Sequence, residues 1–262
     1  MNIISLHLYP IKSTLSYDVQ QAVVLPTGLN FDRQFMLTDP NGKFITARKE
    51  GQLYHLSAYP LPNGLFVQHK TGAQLHINFS DFSQMQSCEV WGTEFASFVA
   101  NDEINQWFSQ FIGLPVQLRW LGQQSQRPLK RFPDQRLSFA DGAPILLTSL
   151  GSLNKLQQHC ASPIKMSQFR PNIVCDNVNA FSEQQWRKIQ IGTVQFLHLK
   201  PSTRCILTTR DPDTNQLDPR AEPFRTLKKL NVNEKGEPVF GINLLPLSTG
   251  VIKLGDKISI LE

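Results

Sequence analysis

The feature that most constrains this chain is its punctuation. Short runs of alternating apolar and polar residues recur along it, and most are closed by a small cluster of Gly, Pro, Asn or Asp. IISLHLYPI (3–11) alternates, QAVVL runs into Pro26-Thr27-Gly28, and RQFMLT faces KFITARK across Asp39-Pro40-Asn41-Gly42. GLFVQHK and QLHINFS are joined in the same way through Thr71-Gly72. Period-two patterning suits a strand with one buried face, and a turn rich in Gly and Asn supplies the positive φ that closes a hairpin. The same signals return in IVC (173–175), KIQIG, TVQFLHLK and the closing VIKLGDKISIL, where Gly255-Asp256 predicts a last hairpin.

Two stretches break the pattern. In NDEINQWFSQFIGL the apolar positions Ile104, Trp107, Phe108, Phe111 and Ile112 fall at helical spacing, with Asn101 or Asp102 to cap the start and Gly113 the end. Leu150, Leu153 and Leu156 predict a shorter helix capped by Thr148 or Ser149. A turn is expected around 183–186. The segment GQQSQRPLKRFPDQR (122–136) is polar, basic and interrupted by two prolines, which predicts a long loop between domains. The expected fold is therefore mainly β with a few short helices (α+β). An N-terminal β-rich domain spans 1–120, and a β-barrel domain spans 121–262.

Composition narrows the function classes. The 262 residues are 40% hydrophobic and 18% charged, as in an ordinary globular protein, and the net charge is +5. The N-terminus lacks a basic stretch followed by an apolar one, and no apolar run approaches the ~20 residues of a membrane span, so a cytoplasmic protein without a membrane partner is expected. Cysteines stand at 88, 160, 175 and 205 with no Cys-x-x-Cys pair, which disfavours zinc-ribbon and iron–sulfur ligation. There is no Gly-rich nucleotide loop, no His-Glu-x-x-His and no Gly-x-Ser-x-Gly. His7, His76 and His198 lie singly in strand-like runs, where a hydrogen-bonded structural role is expected.

What remains is a set of basic and small polar residues where strands meet loops. Lys12 and Ser13 follow the first strand, Arg33 sits in Phe-Asp-Arg-Gln-Phe, Arg170 and Asn172 share one short motif, and Arg204 precedes Cys205. Arginine beside serine and backbone N–H groups suits phosphate, and an Asn amide can read a heterocycle edge, so the set is compatible with a phosphorylated heterocyclic cofactor. Exposed arginines on a basic surface give the same spacing. Cys205 opens the β-prone run Ile206-Leu207-Thr208-Thr209. It is compatible with core filling, with a nucleophile, or with a thiolate binding a metal that arrives with a prosthetic group.

FRPNIV (169–174) followed by RCILTTRDPDT (204–214) resembles the MOSC-domain proteins, in particular the branch of the amidoxime-reducing components and their bacterial relatives. YPIKS (9–13) and LNFDRQFMLTDPNGKFITARKE (29–50) resemble that branch's N-terminal β-barrel domain. PILLTSLGSL and GVIKLGDKISIL resemble the MOSC barrel. The resemblance implies a molybdenum cofactor (Mo-molybdopterin) with Cys205 as metal ligand and catalytic residue. It implies cofactor binding by Lys12, Ser13, Arg33, Ser149, Arg170, Asn172, Thr203 and Arg204. The implied activity is reduction of small N-hydroxylated compounds such as hydroxylamines, amidoximes and N-hydroxylated bases. Some relatives carry a C-terminal ferredoxin module, and no cysteine cluster is present here to hold one. Electrons are thus expected from a separate flavoprotein or ferredoxin-type donor, with the basic run Arg127, Lys130, Arg131 and Arg136 as one docking candidate. Two alternatives stand beside this reading: a sulfur carrier with a Cys205 persulfide, and a non-enzymatic basic barrel that binds nucleic acid. The second needs aromatics on an exposed sheet face, whereas most of the phenylalanines lie in alternating, core-like positions.

Overall fold

A computed structural model describes residues 1–262, and it is mainly β with three α-helices and several single 3-10 turns. The chain forms two compact units that interleave along the sequence: unit 1 comprises Met1–His7, Asp18–Asn30 and Ala143–Glu262, and unit 2 comprises Leu8–Tyr17 and Phe31–Gly142. No helix is long and apolar enough to cross a membrane.

Unit 1 is organised by an eight-stranded sheet. Its spatial order is Tyr17–Val19, Ile3–Leu8, Ile173–Cys175, Ile145–Ser149, Val239–Pro246, Val194–Thr203, Lys188–Ile191 and Ile258–Ile260. Ile173–Cys175 runs parallel to Ile145–Ser149 but antiparallel to Ile3–Leu8, and the pairings from Ile145–Ser149 through Val239–Pro246, Val194–Thr203 and Lys188–Ile191 to Ile258–Ile260 are antiparallel. The barrel expected here is not closed, because the two edge strands are only three residues long and do not pair with each other. Asn2 makes just one isolated bridge to Lys257. The closing hairpin also differs from expectation. Gly255-Asp256 does turn the chain, with Asp256 Oδ2 accepting from Lys253 N at 2.9 Å. Its arms then separate: Gly250–Lys253 joins Gln21–Leu25 in a three-stranded sheet, and Ile258–Ile260 joins Lys188–Ile191. Both arms alternate, and alternation states that a strand exists without naming its partner.

In unit 2, Phe35–Thr38, Gln117–Trp120, Thr93–Ala100 and Phe82–Val90 form a four-stranded antiparallel sheet. Leu56–Leu61, Gly64–His69 and Gln74–Asn78 form a meander that includes the expected Thr71-Gly72 hairpin. The Asp39–Gly42 turn is also present, with Gly42 at φ 81° and so close to Ser87 that an added Cβ would lie 2.5 Å from its carbonyl oxygen. Its second arm soon leaves the ladder, because Thr46 O accepts from both Lys49 N and Glu50 N and bends the chain. Helix α1 (Asp102–Ile112) starts where Asn101 accepts from Ile104 N and stops at left-handed Gly113, as the pattern predicts. Its inward residues Ile104, Phe108 and Ile112 are buried.

The segment 122–136 is not a plain loop. Pro128–Leu129 and Phe132–Arg136 pair as a small hairpin. Arg127 just before it is only 4% exposed, and its Nη1 donates to the carbonyls of Ser138 (2.7 Å) and Ala140. Burial brings this guanidinium down to about 10. A buried cation satisfied by carbonyls cannot serve as an exposed docking charge, which removes Arg127 from the docking run expected from sequence.

Candidate functional site

Strand Val194–Thr203 delivers the chain to Arg204 and Cys205. The run after Cys205 is not the strand its composition suggested but a 3-10 turn, Ile206–Thr209, with extended Cys205 at its N-cap. The cause is local: Thr208 returns both its N–H (3.1 Å) and its hydroxyl (3.0 Å) to the Cys205 carbonyl, and the Thr209 hydroxyl donates to Ile206 O at 2.8 Å. Threonine hydroxyls that bond back three residues compete with a sheet ladder. Cys205 is thereby set on a turn, half-buried and in no disulfide. The other three thiols are in different surroundings. Burial pushes Cys175 up to about 12 and also raises Cys88. Burial, with Glu222 beside it, pushes Cys160 up to about 11. Cys88 and Cys175 are core residues, whereas Cys205, like Cys160, is only partly enclosed.

The same turn meets the Phe169–Asn172 motif. Arg204 Nη2 donates to Phe169 O at 2.7 Å and Nη1 to Ser202 Oγ at 3.0 Å, with the guanidinium 5.9 Å from the Phe169 ring. Phe169 stacks on Phe240 at 3.8 Å in a core that includes Leu156 and Leu227. Gln168 Nε2 reaches Thr208 O at 2.9 Å, and Lys165 pairs with Asp211 (3.0 Å) and Asp213 (2.6 Å) of the DPDT loop. Arg210 holds the far side of that loop by donating to the backbone and side-chain oxygens of Asn215. Two motifs more than thirty residues apart are therefore one structural piece, with Arg170 half-buried on it in a left-handed conformation (φ 55°, ψ 48°).

Not every expected residue faces outward. Asn172 is 1% exposed; its Oδ1 accepts from Leu146 N (3.1 Å) and its Nδ2 donates to His7 O (3.1 Å), so its amide ties strands rather than presenting an edge to a heterocycle. Ser149 is fully buried as the N-cap of α2 (Leu150–Gln157), and with Ser152 it donates to the carboxylate of Glu183. Glu183 is itself fully buried, and burial raises its carboxyl. Thr203 is exposed at the end of its strand. Two of the three strand histidines are hydrogen-bonded as expected, His198 Nδ1 to Trp186 O at 2.8 Å and His7 between Asp18 and Ser5, while exposed His76 lies against the Phe66 ring.

Within unit 2, Lys12, Ser13 and Arg33 form a second group. Lys12 Nζ donates to Phe139 O at 2.8 Å and pairs with Asp141, which also accepts from Trp91 Nε1 at 2.9 Å. Burial drives the Lys12 ammonium below its ordinary value, and Asp141 restores only part of the loss. Arg33 pairs with buried Asp32 at 2.6 Å and lies over the Tyr9 ring at 4.1 Å, while Asp32 also accepts from Tyr9 N. Asp32 and Asp141 were missed from sequence. Asp32 adjoins Arg33 in FDRQF and was open to recognition as its partner, whereas Asp141 lies far along the chain from Lys12.

Whether these residues suit a molybdenum–pterin group is tested by backbone strain and by donor chemistry. Eight non-glycine residues have positive φ, and three of them are Ser13 (70°), Arg33 (48°) and Arg170 (55°). Left-handed backbone costs about 1–2 kcal/mol per L-residue and gathers at functional sites. No group of three or more His, Cys, Asp or Glu could hold a metal ion, so a metal at Cys205 would need its other ligands from a prosthetic group. Within unit 1, one soft thiol with Arg170 and Arg204 is a fitting donor set for a thiolate-bound metal on an anionic carrier, and within unit 2 Lys12, Ser13 and Arg33 are residue types that suit phosphate.

Comparison with known proteins agrees with the motifs. Residues 1–115 match the MOSC N-terminal beta barrel domain and residues 134–259 the MOSC domain. Mitochondrial amidoxime-reducing component 1 of Mus musculus is 28% identical over 98% of this chain and 81% of its own length. Mitochondrial amidoxime reducing component 2 of Macaca fascicularis is 29% identical over 97% and 81%. The YuaD protein from Bacillus subtilis, a solved structure, is 12% identical with a TM-score of 0.48 over 98% of this chain and 93% of that one. The chain therefore belongs to the MOSC-domain proteins that carry the N-terminal MOSC beta barrel domain, with the amidoxime-reducing components among its relatives.

Proposed function

We propose that this protein is a molybdenum-cofactor-dependent oxidoreductase that reduces N-hydroxylated compounds with electrons from a separate donor. The observation that carries the reading is the junction of the two signature motifs: Arg204 bonds Phe169 O while Cys205 stands half-buried on the adjoining turn. The relatives' name, amidoxime-reducing, supports the substrate class. Overall, R–NHOH + 2e⁻ + 2H⁺ gives R–NH2 + H2O, and a bound molybdenum–pterin group supplies the two-electron chemistry.

The chain's own residues do the holding. Cys205 Sγ is the metal ligand, and the turn made by Thr208 and Thr209 fixes its position. Arg170, Arg204, Lys12 and Arg33 offset phosphate and dithiolene charge, and Ser13 and Thr203 add hydrogen bonds. Asn172 and Ser149, both internally bonded, act one step back by fixing the strand ends on which the motifs sit.

The test is turnover of benzamidoxime with reduced methyl viologen as donor. Wild type is expected to form benzamidine, and Cys205→Ser to lose at least about a hundredfold in kcat, the scale seen when a group supporting the transition state is removed. Equal turnover by the two proteins would sink the assignment.

A further inference from the structure

We propose that the surface formed by helix α3 (Phe224–Leu230) and the Cys205 turn is the docking site of a small acidic electron-transfer protein of the ferredoxin type. This rests on the reductase reading, which requires electrons from outside the chain. Sequence placed the docking charges on the segment 127–136, but Arg127 is buried there. Helix α3, which carries exposed cations, packs against the turn Ile206–Thr209 that follows Cys205.

Exposed aliphatic side chains stand in the turn and in the segments next to it. Ile206, the residue after Cys205, is 44% exposed, Leu217 is 57% exposed and Val232 is 45% exposed. All three are tied to the turn through the backbone. Leu217 bridges Arg210, which ends the turn, and Val232 bridges Pro238, whose carbonyl accepts from Arg204 N at 2.8 Å. Large aliphatic side chains left in water next to a candidate redox centre form the kind of core that a protein partner covers.

Helix α3 is basic. The sequence FRTLKKL of α3 contains no acid, and Arg225, Lys228 and Lys229 are all exposed. Beside the helix lies a cavity of about 350 Å³ lined by His159, Glu222, Arg225, Thr226, Lys229 and Leu230. Glu222 is 3% exposed and accepts from Thr226 N at 3.1 Å, so it serves the helix, and the exposed cations lining the cavity are Arg225 and Lys229. A carboxylate on a partner surface finds there the cations of Arg225 and Lys229. Complementary charge speeds encounter and fixes orientation, and contact is then made over the exposed aliphatic side chains. Each encounter oxidises one reduced [2Fe–2S] centre and passes one electron. Two encounters and two protons from water balance the removal of one hydroxyl oxygen as water.

The experiment uses the holoenzyme and an acidic plant-type [2Fe–2S] ferredoxin. Calorimetry would measure binding to wild type and to Arg225→Glu/Lys228→Glu/Lys229→Glu, at low salt and at about 0.3 M salt. The proposal expects wild-type binding that weakens with salt, and at least about tenfold weaker binding by the triple variant. Viologen-driven turnover of the triple variant should stay within about twofold of wild type, and the single variant Lys228→Glu should show a smaller loss of binding. Equal ferredoxin affinity in wild type and triple variant overturns the surface. So does salt-dependent binding of single-stranded RNA, but not of ferredoxin, that the triple variant loses. A flavodoxin that binds where ferredoxin does not overturns the ferredoxin assignment. Loss of viologen-driven turnover in every protein, with ferredoxin binding intact, counts instead against the reductase reading.

Discussion

Lys12 and Arg33 in unit 2 and Arg204 in unit 1 are cations drawn into the fold, yet the acceptors they face differ. Lys12 pairs with Asp141 and Arg33 with Asp32. Arg204 spends two nitrogens on the Phe169 carbonyl and the Ser202 hydroxyl, both neutral. A buried cation with its own carboxylate is already compensated, and an incoming anion must compete with that carboxylate. Neutral acceptors such as the Phe169 carbonyl and the Ser202 hydroxyl fix a guanidinium's direction. Unit 1 thus holds Arg204 on two neutral acceptors beside the Cys205 turn, and unit 2 holds Lys12 and Arg33 beside carboxylates.

The comparison can be broken most forcefully at Phe169. Phe169→Ala removes a fully buried ring stacked on Phe240, at a cost of about 3–5 kcal/mol in urea unfolding. It also removes the surface on which Arg204 lies. A loss below about 1 kcal/mol would mean the junction is not built on that core. In unit 2, Asp141→Asn leaves Lys12 buried with the Phe139 carbonyl and no paired carboxylate, for an expected loss of about 1–3 kcal/mol. The smallest effect should come from Ser202→Ala, which takes a neutral acceptor from Arg204 and should cost about 0.5–1.5 kcal/mol. If Ser202→Ala cost more than Asp141→Asn in the same denaturant series, the contrast between carboxylate-held and dipole-held cations would be wrong.

Much of the fold was legible because its signals are local. Asn101 and Gly113 bound α1 through their own side chain and φ, Ser149 caps α2, and Thr71-Gly72 turns a hairpin. What was misread depends on atoms far along the chain, or on side-chain bonds that override composition. The β-branched run after Cys205 became a turn because Thr208 and Thr209 bond back to carbonyls. Arg127 is buried because the carbonyls of Ser138 and Ala140 receive it. The alternating arms around Gly255 belong to different sheets, a choice of partner that alternation does not encode. At the site, the motifs gave Cys205, Arg204 and Arg170. Residue type alone did not reveal that the Asn172 amide is used up between Leu146 and His7, nor that Gln168 and Lys165 join the two motifs.

The central claim is that Cys205 is a metal ligand, and metal content tests it most directly. Molybdenum and pterin would be measured in wild type, Cys205→Ser and Cys160→Ser, each purified from a host that makes the cofactor. Near-stoichiometric molybdenum and pterin in wild type and Cys160→Ser, with metal lost or its absorption spectrum altered in Cys205→Ser, is the predicted result. Absence of molybdenum from all three, or a cyanide-releasable sulfur on Cys205 in its place, would contradict the account.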